Sequence, residues 1–286
     1  MMSGAIDMRP GAILRETTER VRAVLGPRLD TLTVERAVIG LFFTAVKLSD
    51  GSTGTCATPL KTIPEAVCCP SSAMAMPFPG KLRGRPAASF FDDLAATASL
   101  RRTLAIAVLN ALSEAHWRLR PPADYTVKGD ADGFDELGDA DPGLTVVVGA
   151  LVPMIRELKR RKAAFRILEL DASTLKPDEL PFFLPAERAA EVVPRADALV
   201  ITGTTLINDT LEGLLALARP RARVIVVGPT ASFLPDAMFR RGVTAVAGVR
   251  ATDGEALLDV LAEGGSGYHI FGRAAERVVM LRGAPA

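Results

Sequence analysis

One stretch of the chain, residues 196–215 with the sequence ADALVITGTTLINDTLEGLL, constrains the fold more than any other. Its apolar run at 198–201 is short enough for a buried parallel strand. The chain then breaks at the polar residues 202–205 and resumes with apolar residues at helical spacing from Leu206 to Leu215. The pattern predicts a strand, a tight polar turn and a helix. In an open parallel sheet such a turn lies at the carboxyl edge, where ligands bind.

The polar residues of this turn are the first candidates for a binding site. Thr204 or Thr205 can cap the predicted helix. Asn208 and Thr210 lie in its first turns and can point back towards the carboxyl edge of the sheet, where a ligand would bind. The first amide groups of such a helix are free to hold an anion. A purely structural role stays open for each residue, because helix caps favour Ser, Thr, Asn and Asp for stability alone.

The C-terminal half alternates between strand and helix patterns, which predicts a parallel sheet with helices on both faces. If the strand order is 2-1-3-4-5, the topological switch point lies between the first and third strands. Gly149 would then face Thr202 and Gly203 across the crevice, with residues 228–230 on the next edge. The predicted strands are 144–148, 164–170, 198–202, 223–227, 244–247 and 277–281, and the predicted helices are 152–161, 206–218, 234–241 and 254–262.

The N-terminal half predicts a smaller α+β domain. Three β-like segments suggest a small antiparallel sheet, and the helix at 100–116 is apolar on more than one side. Asn110 is the polar exception on that helix, so it is either a structural tie or a site residue facing the other domain. The expected domains are 1–120 and 143–286, joined by a crossover at 121–142. The other predicted elements are helices at 11–25 and 89–98, strands at 32–39, 41–48 and 53–58, and a long ordered loop at 59–86.

Composition excludes several classes of protein. Hydrophobic residues make up 49% and charged residues 23%, which is typical of soluble globular domains. The net charge of +1 gives no argument for binding nucleic acid or an anionic membrane. The N-terminal residues lack the apolar core of a secretory signal, and no stretch reaches about 18 apolar residues, so a cytoplasmic protein is expected. A homodimer is the default oligomer.

The cysteines and histidines do not form a recognisable metal motif. There is no CxxC pair, and His116 and His269 are isolated from the cysteines and from each other, which argues against a closed zinc site. Cys68 and Cys69, with Met74 and Met76 nearby, form a cluster of soft ligands that either holds a thiophilic ion or packs under a loop. The metal ligands are therefore left unassigned.

A nucleotide site is the alternative for the crevice. The turn after the first strand has one glycine, Gly149, where a dinucleotide fingerprint has three, which argues against NAD. Glu169 and Asp171 nevertheless lie at the end of the second strand, about 20 residues beyond Gly149, where a carboxylate can bind ribose hydroxyls. An enzyme that uses a nucleotide or S-adenosylmethionine stays open as the second hypothesis. A third is an interaction protein in which the crevice is only structural.

Two phrases, TGTTLINDTLEGLL and VVGPTASFLPDAMFRRGVTAVAG, resemble the C-terminal Rossmann-like domain of the "putative heavy-metal chelation" family, long catalogued as a domain of unknown function. The N-terminal half is similar to the small domain of enolase, with LAIAVLNAL at 104–112 as the matching phrase. This chain has Asp209 at a position where the family sequence is expected to have glycine. The resemblance implies a site between the two domains that handles a metal ion or a metal-binding small molecule. The candidate ligand-binding residues are Asn110, Gly149, Glu169, Thr202, Gly203, Thr204, Thr205, Asn208, Thr210, Gly228, Pro229 and Thr230, with Asp209 beside them.

Overall fold

The computed structural model of the chain describes residues 6–60, 78–96, 99–138 and 143–283. The predicted loop at 59–86, with Cys68 and Cys69, lies mostly outside these residues. The N-terminal unit holds a three-stranded antiparallel sheet in the order β1-β2-β3, as the sequence predicted. Its elements are α1 (Ala12–Leu25), β1 (Val34–Ile39), β2 (Phe43–Leu48), β3 (Thr53–Ala57) and α2 (Leu100–Leu119).

Helix α2 is the centre of the N-terminal unit. Ser99 caps its N-terminus by accepting a hydrogen bond from the Arg102 amide, and most of its residues are buried, as the apolar pattern on several sides predicted. A Cβ at Gly54 would come within 2.2 Å of the Ala111 amide nitrogen, so only glycine lets β3 lie this close to the helix. The segment predicted as a helix at 89–98 is instead a 3-10 helix, Ala87–Ala95, and residues 97–98 lie outside the described part.

The C-terminal unit is built on an eight-stranded sheet in the order β4-β11-β10-β9-β8-β5-β6-β7. Its five central strands pair in parallel and follow the predicted 2-1-3-4-5 order, with the switch point between β5 and β8. The prediction of a mostly parallel, Rossmann-like sheet is confirmed. The parallel strands are β5 (Thr145–Val148), β6 (Phe165–Glu169), β7 (Phe183–Pro185), β8 (Ala198–Thr202), β9 (Arg223–Val227) and β10 (Ala245–Ala251).

The edges of this sheet differ from the prediction. Strand β11 (Ala275–Arg282) runs antiparallel to β10, and β4 (Tyr125–Gly129) runs antiparallel to β11. The expected crossover at 121–142 therefore contains an edge strand. It was not predicted because the prolines and glycines that flank it are typical of loops. Strand β7 was not predicted either, because it has three residues and ends in Pro185, a residue tolerated only at sheet edges.

The largest correction concerns the helix expected directly after β8. A 3-10 turn, Gly203–Leu206, follows the strand instead, and the next α-helix begins at Leu211. Asp209 has a left-handed backbone with φ of 60°, which interrupts helical geometry. Thr204 and Thr205 therefore cap no α-helix. The helices of this unit are α3 (Val152–Arg160), α4 (Ala189–Val192), α5 (Leu211–Leu217), α6 (Asp236–Arg240), α7 (Gly254–Ala262) and α8 (Gly267–Ile270).

One apolar core runs through both units. Side chains of α1 and α2, such as Leu14 and Leu109, belong to the same buried cluster as Leu199 of β8 and Phe233 after β9. The two units are thus packed as one body rather than linked by a hinge. None of the helices in the described residues combines the length and apolar character that crossing a membrane requires.

Candidate functional site

A cavity of about 650 Å³ opens at the carboxyl ends of β5, β6 and β8, at the topological switch point. We call it the switch-point cavity. This is where ligands bind in open α/β sheets, and its volume is that of a site for a small organic molecule. Seven of the predicted site residues line it: Gly149, Glu169, Thr202, Thr204, Thr205, Asn208 and Thr210. Asp209 and the apolar residues Leu151, Leu168, Leu214 and Leu217 complete much of the wall.

Gly149 and Thr202 face each other across the switch point, as the predicted strand order requires. Gly149 has a φ of 96°, and a Cβ on it would lie 2.7 Å from Cγ2 of Thr202. The position therefore needs glycine both for its backbone conformation and for this close approach. The single glycine of the turn keeps β5 and β8 close at the floor of the cavity.

The hydroxyl groups of the cavity are held by short local hydrogen bonds. The Thr202 and Thr204 hydroxyl oxygens lie 3.1 Å apart, and Thr205 Oγ1 donates to the Thr202 carbonyl at 2.7 Å. Thr210 Oγ1 donates to Asn208 Oδ1 at 2.7 Å, which fixes the Asn208 amide and leaves its Nδ2 without a partner among the described residues. These groups present oriented donors and acceptors to the cavity.

The two carboxylates proposed for a ribose contact behave differently. Glu169 lines the cavity, and its Oε1 accepts the Leu170 amide at 2.7 Å. Asp171 lies outside the wall, and its Oδ1 accepts the Ser173 amide at 2.9 Å. Of the two carboxylates, only Glu169 lines the cavity.

Asp209 forms a bidentate ion pair with Arg102, a buried residue of α2. The Arg102 Nη1 to Asp209 Oδ2 distance is 2.6 Å. The pair joins the N-terminal unit to the wall of the switch-point cavity, and it neutralises the charge that Asp209 brings there. Sequence reasoning identified Asp209 but missed Arg102, since the two lie 107 residues apart and no local pattern marks the arginine.

The remaining predicted site residues lie in the joint between the two units. Asn110 Nδ2 donates to the Thr55 carbonyl at 2.5 Å and to the Pro229 carbonyl at 3.0 Å. Thr230 Oγ1 accepts the Ala57 amide at 3.1 Å, and a Cβ on Gly203 would meet the Thr230 side chain at 3.2 Å. Asn110 thus ties the two units through Nδ2, while its buried Oδ1 has no hydrogen-bond partner among the described residues, so both interpretations that the sequence left open for Asn110 remain. Gly228 and Pro229 line a second cavity, which is separate from the first.

The described residues offer few metal ligands. Within residues 6–60, 78–96, 99–138 and 143–283, no group of three or more His, Cys, Asp or Glu could hold a metal ion. Cys56 is buried, and burial raises the pKa of its thiol to about 12, so it is a poor thiolate ligand. The cluster predicted around Cys68 and Cys69 lies outside the described residues.

Comparison with known proteins found two matching family models, and both carry the description "Putative heavy-metal chelation". DUF364 matches residues 132–280, and DUF4213 matches residues 22–113. A protein of Methanocaldococcus jannaschii named "Uncharacterized protein" is 31% identical over 159 residues, which is 54% of this chain. The match spans 56% of that relative's length.

Two solved structures share the fold. A DUF364 protein of unknown function from Pyrococcus horikoshii gives a TM-score of 0.72 at 20% identity, over 94% of this chain and 100% of that one. A second, from Desulfitobacterium hafniense, gives 0.65 at 17% identity, over 92% and 98%. At these identities the likeness concerns the fold alone.

Proposed function

This chain belongs to the DUF364 family, described as "Putative heavy-metal chelation", and from that premise we propose that it binds a metal-chelating small organic molecule, or the metal chelate itself, in the switch-point cavity. The observation that carries the proposal is the cavity of about 650 Å³ at the carboxyl ends of β5, β6 and β8. Its apolar walls and few polar groups are typical of small-molecule sites.

The chemistry of the wall favours an organic chelator over a bare ion. Chelators present several oxygen or nitrogen atoms around an apolar frame, which suits the hydroxyl groups of Thr202 and Thr204 and the amide of Asn208. The described wall lacks a cluster of metal-binding side chains, so most ligands of a bound metal would come from the chelator. Among the wall carboxylates, Asp209 is already paired with Arg102, which leaves Glu169 for the ligand.

A second candidate function is an enzyme that uses a nucleotide or S-adenosylmethionine in the same cavity. The observation that favours it is the position of Glu169 at the end of β6, where a carboxylate binds ribose in this class of fold. Adenosine binding that is lost in Glu169→Gln, without any response to chelators, would favour this reading over the first.

Gly213 offers a direct test, because it lies on α5 and lines the switch-point cavity. A Cβ at this position meets no heavy atom within 4 Å, so the first atom of a new side chain enters open space. Replacing a helical glycine also favours helix formation. Gly213→Phe should therefore obstruct the cavity while keeping the fold, and Gly213→Ala is the matched control that leaves the cavity open.

The measurement is the melting temperature of wild type and both variants with citrate, dipicolinate and catechol, each with and without Ni²⁺ or Zn²⁺. Native mass spectrometry with metal analysis on protein purified without chelators accompanies it. A ligand at about 100 times its Kd stabilises the native state by about 2.7 kcal/mol. We expect a rise for wild type and Gly213→Ala and none for Gly213→Phe. A response that survives in Gly213→Phe, or none from any chelator in wild type, would contradict the proposal.

A further inference from the structure

A second cavity, of about 530 Å³, lies between the two units at the carboxyl ends of β9 and β10. We call it the inter-unit cavity. Phe43 and Thr55 reach it from the small sheet, and the start of α3 forms its opposite wall. Leu151, in the turn after β5, is the one residue that lines both cavities among the described residues. The two are therefore distinct spaces on either side of that turn.

The floor of this cavity holds a polar group without a partner. Thr55 is buried, and its Oγ1 has no hydrogen-bond partner among the described residues. Its carbonyl oxygen is occupied by Asn110 Nδ2, so the residue contributes structurally through its backbone and not through its hydroxyl. An unsatisfied buried hydroxyl is destabilising unless a ligand or water completes its hydrogen bonding.

The walls of the inter-unit cavity are aromatic. Phe43, Phe134 and Phe271 line it, and all three rings are only half-buried. Together with Leu151 and Val249 they form a partly exposed apolar surface inside a concave site, which favours a flat apolar ligand.

An available cation stands at the mouth. Arg277 lines the cavity with its guanidinium 4.2 Å from the centre of the Phe271 ring, and it makes no ion pair with any described residue. Arg161, the other arginine of the wall, is already bonded to Glu157 and to the Gly138 carbonyl. Arg277 is thus placed to bind a carboxylate through its planar fork.

The acidic groups of the mouth limit the charge of the ligand. Asp132 and Asp135 are exposed on the 130–138 segment and line the same cavity. Asp132 accepts the Phe134 amide at 3.0 Å, while its charge remains at the rim. The two carboxylates outnumber the one available arginine, so they disfavour a dianion most strongly, and a single carboxylate binds only in direct contact with Arg277.

From these observations we propose that the inter-unit cavity is a second small-molecule site, which binds an aromatic monocarboxylate. The ring system packs against Phe43, Phe134 and Phe271, the carboxylate binds Arg277 at the mouth, and a polar ring substituent reaches Thr55 Oγ1 at the floor. The proposal does not depend on the function proposed for the switch-point cavity.

The test measures the affinity of the whole chain for three probes by isothermal titration calorimetry: 6-hydroxy-2-naphthoate, 2-naphthoate and neutral 2-naphthol. We expect 6-hydroxy-2-naphthoate to bind best. Arg277→Gln should weaken both carboxylates about tenfold or more and leave 2-naphthol unchanged, since one charge-assisted pair is lost. The control Arg273→Gln changes an exposed arginine outside the cavity, and it should alter none of the affinities.

Thr55→Val removes only the hydroxyl and keeps the shape of the side chain. It should weaken 6-hydroxy-2-naphthoate severalfold, leave 2-naphthoate unchanged and not lower the melting temperature, since no folded-state hydrogen bond of that hydroxyl is lost. Binding that Arg277→Gln does not alter, or no binding of any probe, would overturn the proposal. Binding abolished by Gly213→Phe would overturn it too, because the probe would then occupy the switch-point cavity.

Discussion

Arg102 on α2 and Asp209 after β8 form a bidentate ion pair in which the arginine side chain is 2% exposed and the aspartate side chain 22%. Asp209 adopts a left-handed backbone, at the position where the family phrase is expected to have glycine. The pair ties the central helix of the N-terminal unit to the turn that shapes the switch-point cavity. The strain of the backbone is thus compensated by a contact that glycine could not make.

Asp209→Ala should lower the free energy of unfolding by about 3 kcal/mol, because it leaves the buried Arg102 charge uncompensated. The measurement is chemical denaturation of wild type and variant. Glu191→Ala is the control: Glu191 pairs with Arg188 on the exposed surface, where water and salt screen the charges, so its loss should cost much less. Equal effects of the two variants would show that the Arg102–Asp209 pair is no stronger than a surface pair.

Glu212→Ala should weaken the start of α1, which lies in the other unit. Gly11 provides no side-chain cap for this helix, and the buried Glu212 carboxylate accepts the Ile13 amide at 2.9 Å instead. A carboxylate at a helix N-terminus is favourable, so we expect a loss of about 2 kcal/mol for Ala and about 1 kcal/mol for Gln. Hydrogen exchange at the first turn of α1 should rise in the same order. An unchanged first turn in Glu212→Ala would rule out the capping role.

Asn110→Ala should destabilise the joint between the units and leave the switch-point cavity intact. The variant removes hydrogen bonds to the carbonyls of Thr55, Pro229 and Thr230, which lie in both units. We expect a loss of about 2 kcal/mol in unfolding free energy. Affinity of the switch-point cavity for any chelator that binds it should stay within twofold.

Asn208→Ala should have the opposite pattern. We expect it to reduce the affinity of the switch-point cavity for a chelator and to leave the free energy of unfolding nearly unchanged.

Glu114, on α2, makes the free energy of unfolding depend on pH, and the direction of that dependence follows from the pKa of its carboxyl. Burial raises the pKa of its carboxyl from 4.5 to about 7, despite the opposing charges of Arg250 and Arg118. Between pH 4.5 and 7 the folded chain therefore keeps a proton that the unfolded chain has lost, so stability falls as the pH rises through this window.

Glu114→Gln removes that dependence. Measured from pH 4 to 8, the stability of the variant relative to wild type should rise by about 2 kcal/mol across the window, an amount reduced for the partial solvent contact of the group. The far-ultraviolet circular dichroism of the two proteins should be the same at pH 4.5. A difference that stays constant with pH would contradict the raised pKa of Glu114.

The sequence predicted the strands and their order where local pattern and topology rules agree. The parallel strands β5, β6, β8, β9 and β10 are short apolar runs, each followed by glycine or a polar turn, and their order follows a common arrangement. The predicted start of this helix at Leu206 was wrong, since α5 begins at Leu211, and the reason is physical. Leu206 and Ile207 are buried at helical spacing, yet their segment is a 3-10 turn that tertiary packing stabilises.

The division of the predicted site into two places could not be read from the sequence. Asn110 binds Pro229, which is 119 residues away, and this contact depends on how the two units pack. Whether a polar residue beside a strand end faces a cavity or the neighbouring unit is a non-local property. The patterns around Thr202 and around Gly228 are alike in composition, but only the first lines the switch-point cavity.

The shared core also bears on how such chains can be recombined. Two family models describe the halves separately, but Leu109 and Leu199 lie in one buried cluster. A chimera that joins residues 6–119 of this chain to the second half of a relative would bring together surfaces that did not evolve as partners. It would also place Arg102 opposite whatever residue the relative has at the position of Asp209. A functional exchange between relatives would therefore have to carry both halves.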